Sequence, residues 1–279
     1  MREEEPSATA AGVALLRVLH QKIDAPPRIL EDTVAERLLD LGAVRWAMDH
    51  LDRFETPFAR GLRVHVAVRS RYSEDAFSEA VARGIRQLVI LGAGLDTFAY
   101  RQPAWSQAVR IFEVDHLASQ AQKQLRLVAA GLQVPGNLTF VPVDFEREAL
   151  NDELLRAGLD FSRPVFWSCL GVLMYLKEAA IDDLFSFLGG FPSGSELVLT
   201  FSPEGKESEA HRELARSVAS VGEPLQTRVS QEALAAQLRR AGFTEIAFVS
   251  PEEIASRYMR NRADALRPPR WTTLARARI

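Results

Sequence analysis

Seven short, mostly apolar runs, separated by helical segments, constrain this chain more than any other feature of its sequence. They are Gln87–Leu91, Val109–Val114, Leu138–Val143, Pro164–Leu170, Glu196–Phe201, Glu245–Val249 and Trp271–Ala277. The first five read as strands buried on both faces, where side chains meet no water. Between them lie helical stretches at His116–Ala130, Glu146–Ala157, Lys177–Leu188 and Gln231–Ala241, each followed within a residue or two by a glycine. Glycine can adopt the left-handed conformation that closes a helix. A further helix is expected at Glu74–Arg83, ending at Gly84. Strand and helix thus alternate for some 200 residues. That order predicts an α/β fold: a doubly wound, mostly parallel seven-stranded sheet of Rossmann-like type, with right-handed crossovers.

The first sixty residues read differently. Val13–Leu19, Ile29–Leu41 and Val44–Phe54 look helical, punctuated by Pro26-Pro27 and Thr56-Pro57. The expected organisation is one domain over residues 1–279: a helical cover (1–60), a ligand-binding core (61–201), a polar cap insertion (202–230) and the C-terminal half of the sheet (231–279). Ligands in such sheets bind at the carboxyl ends of the strands.

Composition narrows the functional classes. Lys plus Arg total 34 against 37 Asp plus Glu, a net charge of −3. A dedicated nucleic-acid binder would carry an excess of base, so no nucleic-acid partner is expected. No apolar run approaches the 18 or so residues of a membrane span, so no membrane partner is expected either. Cys169 is the one cysteine, which excludes an internal disulfide. Met1–Pro6 carries Glu3, Glu4 and Glu5, the wrong charge for a secretory or transit signal, which predicts a cytoplasmic protein. Oligomeric state is not legible.

The sharpest local motif is Leu91-Gly92-Ala93-Gly94-Leu95-Asp96-Thr97, directly after the first strand. Glycines there let the backbone turn tightly and approach a ligand that a Cβ would obstruct. Asp115 follows 21 residues after Gly94, at the end of the second strand, where a carboxylate can accept both ribose hydroxyls of a nucleoside. A dinucleotide fingerprint would place a third glycine where this chain has Thr97. Asp96 would repel a pyrophosphate but suits a cation. The adenosine ligand that is cationic is S-adenosyl-L-methionine, and an arginine would meet its single carboxylate. An NAD-dependent dehydrogenase is correspondingly disfavoured.

The stretch Gln87–Arg101 closely resembles motif I of the leucine carboxyl methyltransferase-like family. Arg69-Ser70-Arg71-Tyr72, Phe112-Glu113-Val114-Asp115 with Lys123, Val143-Asp144-Phe145 and Gly171–Leu176 resemble further family segments, as does the less specific tail Arg262–Leu266; together they cover roughly residues 30–279. The resemblance implies an S-adenosylmethionine-dependent methyltransferase fold, O-methylation, and in a bacterial branch a small-molecule acceptor such as a polyketide-like metabolite. By position it implies that Arg69 and Arg71 face the methionine carboxylate and that Gly92, Ala93, Gly94 and Asp96 pack along the cofactor. It further implies that Glu113, Asp115 and His116 lie near the ribose, and Asp144 and Phe145 near the adenine. The family usually has a glutamate where this chain has Leu170, which leaves Ser168 or a backbone carbonyl to replace that contact.

Methyl transfer from a sulfonium needs alignment and exclusion of water. A carboxylate acceptor requires no base, whereas a hydroxyl is helped by one. His20, His50, His65, His116 and His211 sit apart in the sequence, with no metal or triad spacing. The absence of a visible base favours an acidic oxygen nucleophile. Arg69 and Arg71 would point about 200° apart on a helix, so one of them is expected to miss the site. Tyr175 is the candidate for a catalytic or acceptor-binding hydroxyl. Trp105, Trp271 and Cys169 read as packing residues. Methylation of a partner's C-terminal carboxylate, and cofactor binding without turnover, are the competing functions.

Overall fold

The computed structural model describes residues 6–145, 150–205, 209–260, 262–264, 266–269 and 273–279, with the side chains of 209–211 not described. Ten helices occur among these residues. They are α1 (Ala8–Ile23), α2 (Leu41–Asp49), α3 (Leu51–Phe54), α4 (Pro57–Ala82), α5 (Leu117–Ala129), α6 (Leu150–Arg156), α7 (Glu178–Gly189), α8 (Glu209–Ser220), α9 (Gln231–Arg240) and α10 (Pro251–Tyr258). The strands are β1 (Gln87–Leu91), β2 (Arg110–Asp115), β3 (Leu138–Pro142), β4 (Phe166–Cys169), β5 (Glu196–Thr200), β6 (Glu245–Phe248) and β7 (Leu274–Arg278). They form one sheet in the order β3-β2-β1-β4-β5-β7-β6, parallel except for β7. The chain starts in the middle at β1, winds outward to β3, then restarts at β4. The doubly wound expectation is met, and β1 and β4 flank the point where the winding reverses.

The two faces of β1 show why it sits centrally. Leu88 and Ile90 join one apolar cluster, with Phe77, Ile111 and Phe166, while Val89 and Leu91 join the other, with Phe112, Val114 and Trp167. Side chains alternate across a strand, so a strand apolar at every position must be covered on both sides. Phe112, Phe166 and Trp167 are fully buried, and each such side chain stabilises the fold by about 2–3 kcal/mol.

The helical cover departs from expectation in three places. Ile29–Leu41 forms no helix: it holds a short 3-10 turn at Ala35–Leu38. The Asp32 carboxylate accepts the backbone N–H groups of Val34 (3.1 Å) and Ala35 (3.0 Å), a local bond that competes with helical hydrogen bonding. Asp40 then caps α2 by accepting from Ala43 N. The third expected helix is split at His50 into α2 and α3. The largest departure is α4. Its 26 residues begin at Pro57, capped by the Thr56 side chain, where the expected helix begins only at Glu74, and they include the arginine segment Arg69–Tyr72. The starts of the expected helix Glu146–Ala157 and strand Trp271–Ala277 lie outside the described residues, as do Trp271 and Ala265 of the tail.

Candidate functional site

The site assembles at the carboxyl edge of β1, β2 and β4, under α1 and across α4. Beyond β1 the chain turns through Gly92 (φ +63°) and Gly94 (φ +49°), both in the left-handed region that disfavours side chains. A Cβ at Gly92 would overlap Val172 Cγ2, and one at Gly94 would lie 3.0 Å from Ala10 Cβ. The turn is therefore packed from below by the segment after β4 and from above by α1. Ala93 N continues the ladder to Val114 O at 3.0 Å. Asp96 accepts from Phe98 N at 2.8 Å and so closes the loop on itself.

Asp115 ends β2 with its carboxylate beside the glycine turn, accepting from Gly94 N and from His116 N (2.7 Å). Burial pushes its pKa up, against the pull of these two backbone donors. His116 caps α5, its Nδ1 accepting from Ala118 N. Asp144 and Phe145 follow β3 at the same edge, where Asp115 registers with Pro142. Phe145 packs against the apolar cluster that holds Phe112 and Val114.

Two expected ligand residues are placed elsewhere. Arg71 is exposed and forms an ion pair with Asp75 (2.8 Å), one turn along the outer face of α4. The 100° helical step separates it from Arg69, as the geometry of an unbroken helix requires. Glu113 is fully buried beneath the edge, paired with Lys123 Nζ at 2.5 Å, and Lys123 lies 5.5 Å from the Tyr100 ring centroid. Burial raises the Glu113 pKa to about 7 despite that lysine. It belongs to the layer between β2 and α5.

Arg69 faces the site. Its guanidinium lies against Gly171 (φ +78°), with Nη1 2.9 Å from where a Cβ would stand. Gly171, anchored by its N–H to Thr200 Oγ1 at 2.6 Å, makes room for it. Among the described residues no ion pair or hydrogen bond engages the Arg69 guanidinium. Burial pulls its pKa down to about 10, Tyr175 and Asp96 acting in the opposite sense and Arg17 in the same one. A buried cation without a counter-ion is costly, and such a group is a receptor for an anion. Along the same face of α4, Ser73 Oγ lies 3.1 Å from Ser168 Oγ at the end of β4. Leu170 lines the cleft between α4 and β4 together with Ser70, Ser73, Glu74, Asp96 and Ser168.

The roof is clasped. Glu223, just beyond α8, accepts from Ser7 Oγ (3.1 Å), Ala8 N (2.8 Å) and Thr9 Oγ1. Burial raises the pKa of the Tyr175 hydroxyl, while a hydrogen bond with Thr9 lowers it. Tyr175 thus stands between the roof and Arg69.

Sequence reasoning missed a buried charge network that supports the turn. Arg17 of α1 bonds Leu95 O (2.5 Å) and pairs with Asp32 (3.0 Å). Thr97 Oγ1 donates to Asp32 (2.7 Å), and Arg101 bonds Thr97 and pairs with Glu74 of α4. Thr97 is the residue in place of a third glycine, and its hydroxyl ties the turn to the cover. His65 was also missed. It stands one turn before Arg69, with Nδ1 3.3 Å from Thr273 Oγ1. Its i, i+4 relation to Arg69 on α4 is the signal, and it falls before Glu74, where the expected helix begins. Among the described residues no cluster of three metal-ligating side chains occurs, and no helix is long and apolar enough to cross a membrane.

The family model for leucine carboxyl methyltransferase matches residues 10–189. YktD of Bacillus subtilis (strain 168), which bears the name of an S-adenosyl-L-methionine-dependent methyltransferase, is 29% identical over 295 residues, covering 95% of each chain. A protein of Mycobacteroides abscessus with the same designation is 35% identical over 214 residues, covering 76% of this chain and 69% of its own. Among solved structures, a duf574 family protein from Streptomyces avermitilis shares the fold with a TM-score of 0.61 at 18% identity, over 99% of this chain and 98% of that one. The chain belongs to the leucine carboxyl methyltransferase family.

Proposed function

We propose that this S-adenosylmethionine-dependent methyltransferase methylates an oxygen, a carboxyl or acidic hydroxyl, of a small molecule. The observation that carries the reading is Arg69, a cation with no ion-pair or hydrogen-bond partner among the described residues, at the same sheet edge as the Asp115 carboxylate. That donor set fits a ligand with an α-carboxylate at one end and a ribose at the other. Arg69 would take the carboxylate, Asp115 the ribose hydroxyls, and Gly92, Ala93, Gly94 and Asp96 the length between them. Ser168 and Leu170 would border the methionine end, and His116, Asp144 and Phe145 the adenine end. The bound cofactor supplies a methyl group on a positively charged sulfur. The protein's part is to orient the acceptor oxygen against that methyl and to keep water out.

The clasp between Glu223 and residues 7–9 favours a small acceptor over a protein C-terminus, because a polypeptide needs an open mouth. The test has two parts. Titration calorimetry with S-adenosylmethionine should show saturable binding, weakened about thirtyfold in Asp115→Asn, the equivalent of about 2 kcal/mol for hydrogen bonds to a charged acceptor. S-adenosylhomocysteine release should then be driven by small carboxylic acids or phenols and not by peptides with free C-termini. Preference for the peptides would reverse the assignment of the acceptor, and cofactor binding without turnover of either panel would leave a binding protein.

A further inference from the structure

α4 presents three polar side chains on one face, spaced four residues apart, and each meets a different part of the sheet edge. Ser73 meets Ser168 at the end of β4. Arg69 lies against Gly171 just beyond β4. His65 meets Thr273, which immediately precedes β7. Thr273 O also accepts from Phe201 N (3.0 Å) just beyond β5, where Thr200 registers with Leu274. The row therefore runs from the β1–β4 side, where the glycine turn and Asp115 lie, to the β5–β7 side, where neither does. Four residues of helix rise about 6 Å, so His65 stands about that far past the cation that would receive the cofactor's carboxylate.

His65 is half-buried on the face of α4 that carries Arg69. Its side chain keeps some accessible surface, yet burial, with Arg69 adding to it, pushes its pKa down to about 3. The imidazole is neutral at physiological pH and has one nitrogen committed to Thr273. Among the described residues no hydrogen bond engages Nε2.

We propose that His65 faces the methyl acceptor, with Nδ1–H donating to Thr273 Oγ1 and Nε2 accepting the proton of an acceptor hydroxyl, so that the acceptor is a phenol or enol and not a carboxylate. The inference rests on the O-methylation reading and sharpens it. As the acceptor oxygen forms its bond to the methyl carbon, the carbon–sulfur bond breaks and its electron pair returns to sulfur, which ends neutral. The acceptor O–H proton passes to Nε2 and from there to solvent. An oxygen that is gaining a third bond holds its proton far more weakly than an imidazolium, so even an imidazole of depressed basicity can take it. A carboxylate gains nothing from a neutral acceptor nitrogen.

The experiment uses the full chain with S-adenosylmethionine and a panel of phenols, each paired with the carboxylate of the same carbon skeleton, for example 2-naphthol with 2-naphthoate. Phenols should be the methylated members. His65→Gln should lower kcat by 10²–10³, with acceptor KM and cofactor Kd within threefold, and added imidazole should restore part of the rate of His65→Ala. A role confined to packing would move neither the split between kcat and KM nor the rescue. A second measurement is independent of turnover: in protein labelled with ¹⁵N-histidine and loaded with S-adenosylhomocysteine, 2-naphthol should shift the His65 ring nitrogens and 2-naphthoate should not. Unchanged kcat in His65→Gln, preferential use of carboxylates, or ring signals that phenols leave unmoved would each overturn the proposal. If no panel member is methylated while the cofactor binds, the O-methylation reading fails, and the nitrogen shifts alone decide what His65 faces.

Discussion

Replacing Arg69 with methionine should stabilise the cofactor-free protein while weakening its hold on the cofactor. The guanidinium lies against Gly171 without a counter-ion, and its pKa falls to about 10 from its ordinary value. A depression of about two and a half decades corresponds to roughly 3 kcal/mol of unfavourable charge burial at about 1.4 kcal/mol per decade. The side chain retains some exposed surface, so solvent offsets part of this. Methionine keeps the aliphatic stem and removes the charge. The net gain should be about 1–3 kcal/mol, and for a chain of this size Tm rises by about 2–4 °C per kcal/mol. Binding should move the other way. A paired guanidinium and carboxylate contribute about 1.5–3 kcal/mol, so affinity for S-adenosylhomocysteine should fall about 10- to 150-fold. Thermal unfolding with and without S-adenosylhomocysteine reads both effects. The wild type should gain about 2.7 kcal/mol at a hundredfold excess of ligand over Kd, and Arg69→Met only about 0.3–1.4 kcal/mol at the same concentration. A variant that is less stable by more than about 1 kcal/mol, or that binds within threefold of wild type, would refute the account of Arg69 as an unpaired receptor.

The glycine turn and the buried carboxylates allow further checks. Gly92→Ala should cost about 2–5 kcal/mol, from the left-handed backbone and the overlap with Val172. Adding Val172→Ala should recover about 1–3 kcal/mol of it in a double-mutant cycle read by urea unfolding, and simple additivity would show that Val172 is not the obstacle. Burial pulls the carboxyls of Asp24 and Asp32 upward, but His20 and Arg63 at Asp24, and Arg17 and Arg101 at Asp32, outweigh it and hold both below the usual range. Folded values below unfolded ones mean that this stability is complete above about pH 4 and is lost as pH falls through the folded values. Asp32→Asn should therefore flatten the acid limb of the stability profile and cost about 3 kcal/mol or more near neutrality, by leaving Arg17 buried without its partner.

Much of the fold was legible because its signals are local. Uninterrupted apolar runs named the central strands, and the glycines that follow the helices marked their ends within a residue or two. The turn at Gly92–Gly94 and the aspartate at the end of β2 were equally plain, since strand order brings them together whatever the rest of the chain does. The failures came where a side chain from elsewhere sets the backbone. Asp32 replaces a helix by a short turn because it also serves Arg17 and Thr97, a demand that no window around residue 32 contains. The sequence marks a helix only from Glu74, whereas α4 runs from Pro57. His65 lies in that earlier stretch, and its place beside Arg69 shows only once α4 is continuous. Glu113 looked like part of the ligand edge because it stands two residues before Asp115, yet Lys123 holds it within the protein.

The reversed direction of β7 carries a consequence of its own. A parallel strand delivers the residues that follow it to the ligand edge, whereas an antiparallel neighbour delivers those that precede it. Thr273 reaches His65 of α4 for this reason, although it lies far along the chain from the glycine turn. A substitution at Thr273 therefore changes what His65 of α4 meets without disturbing a single strand.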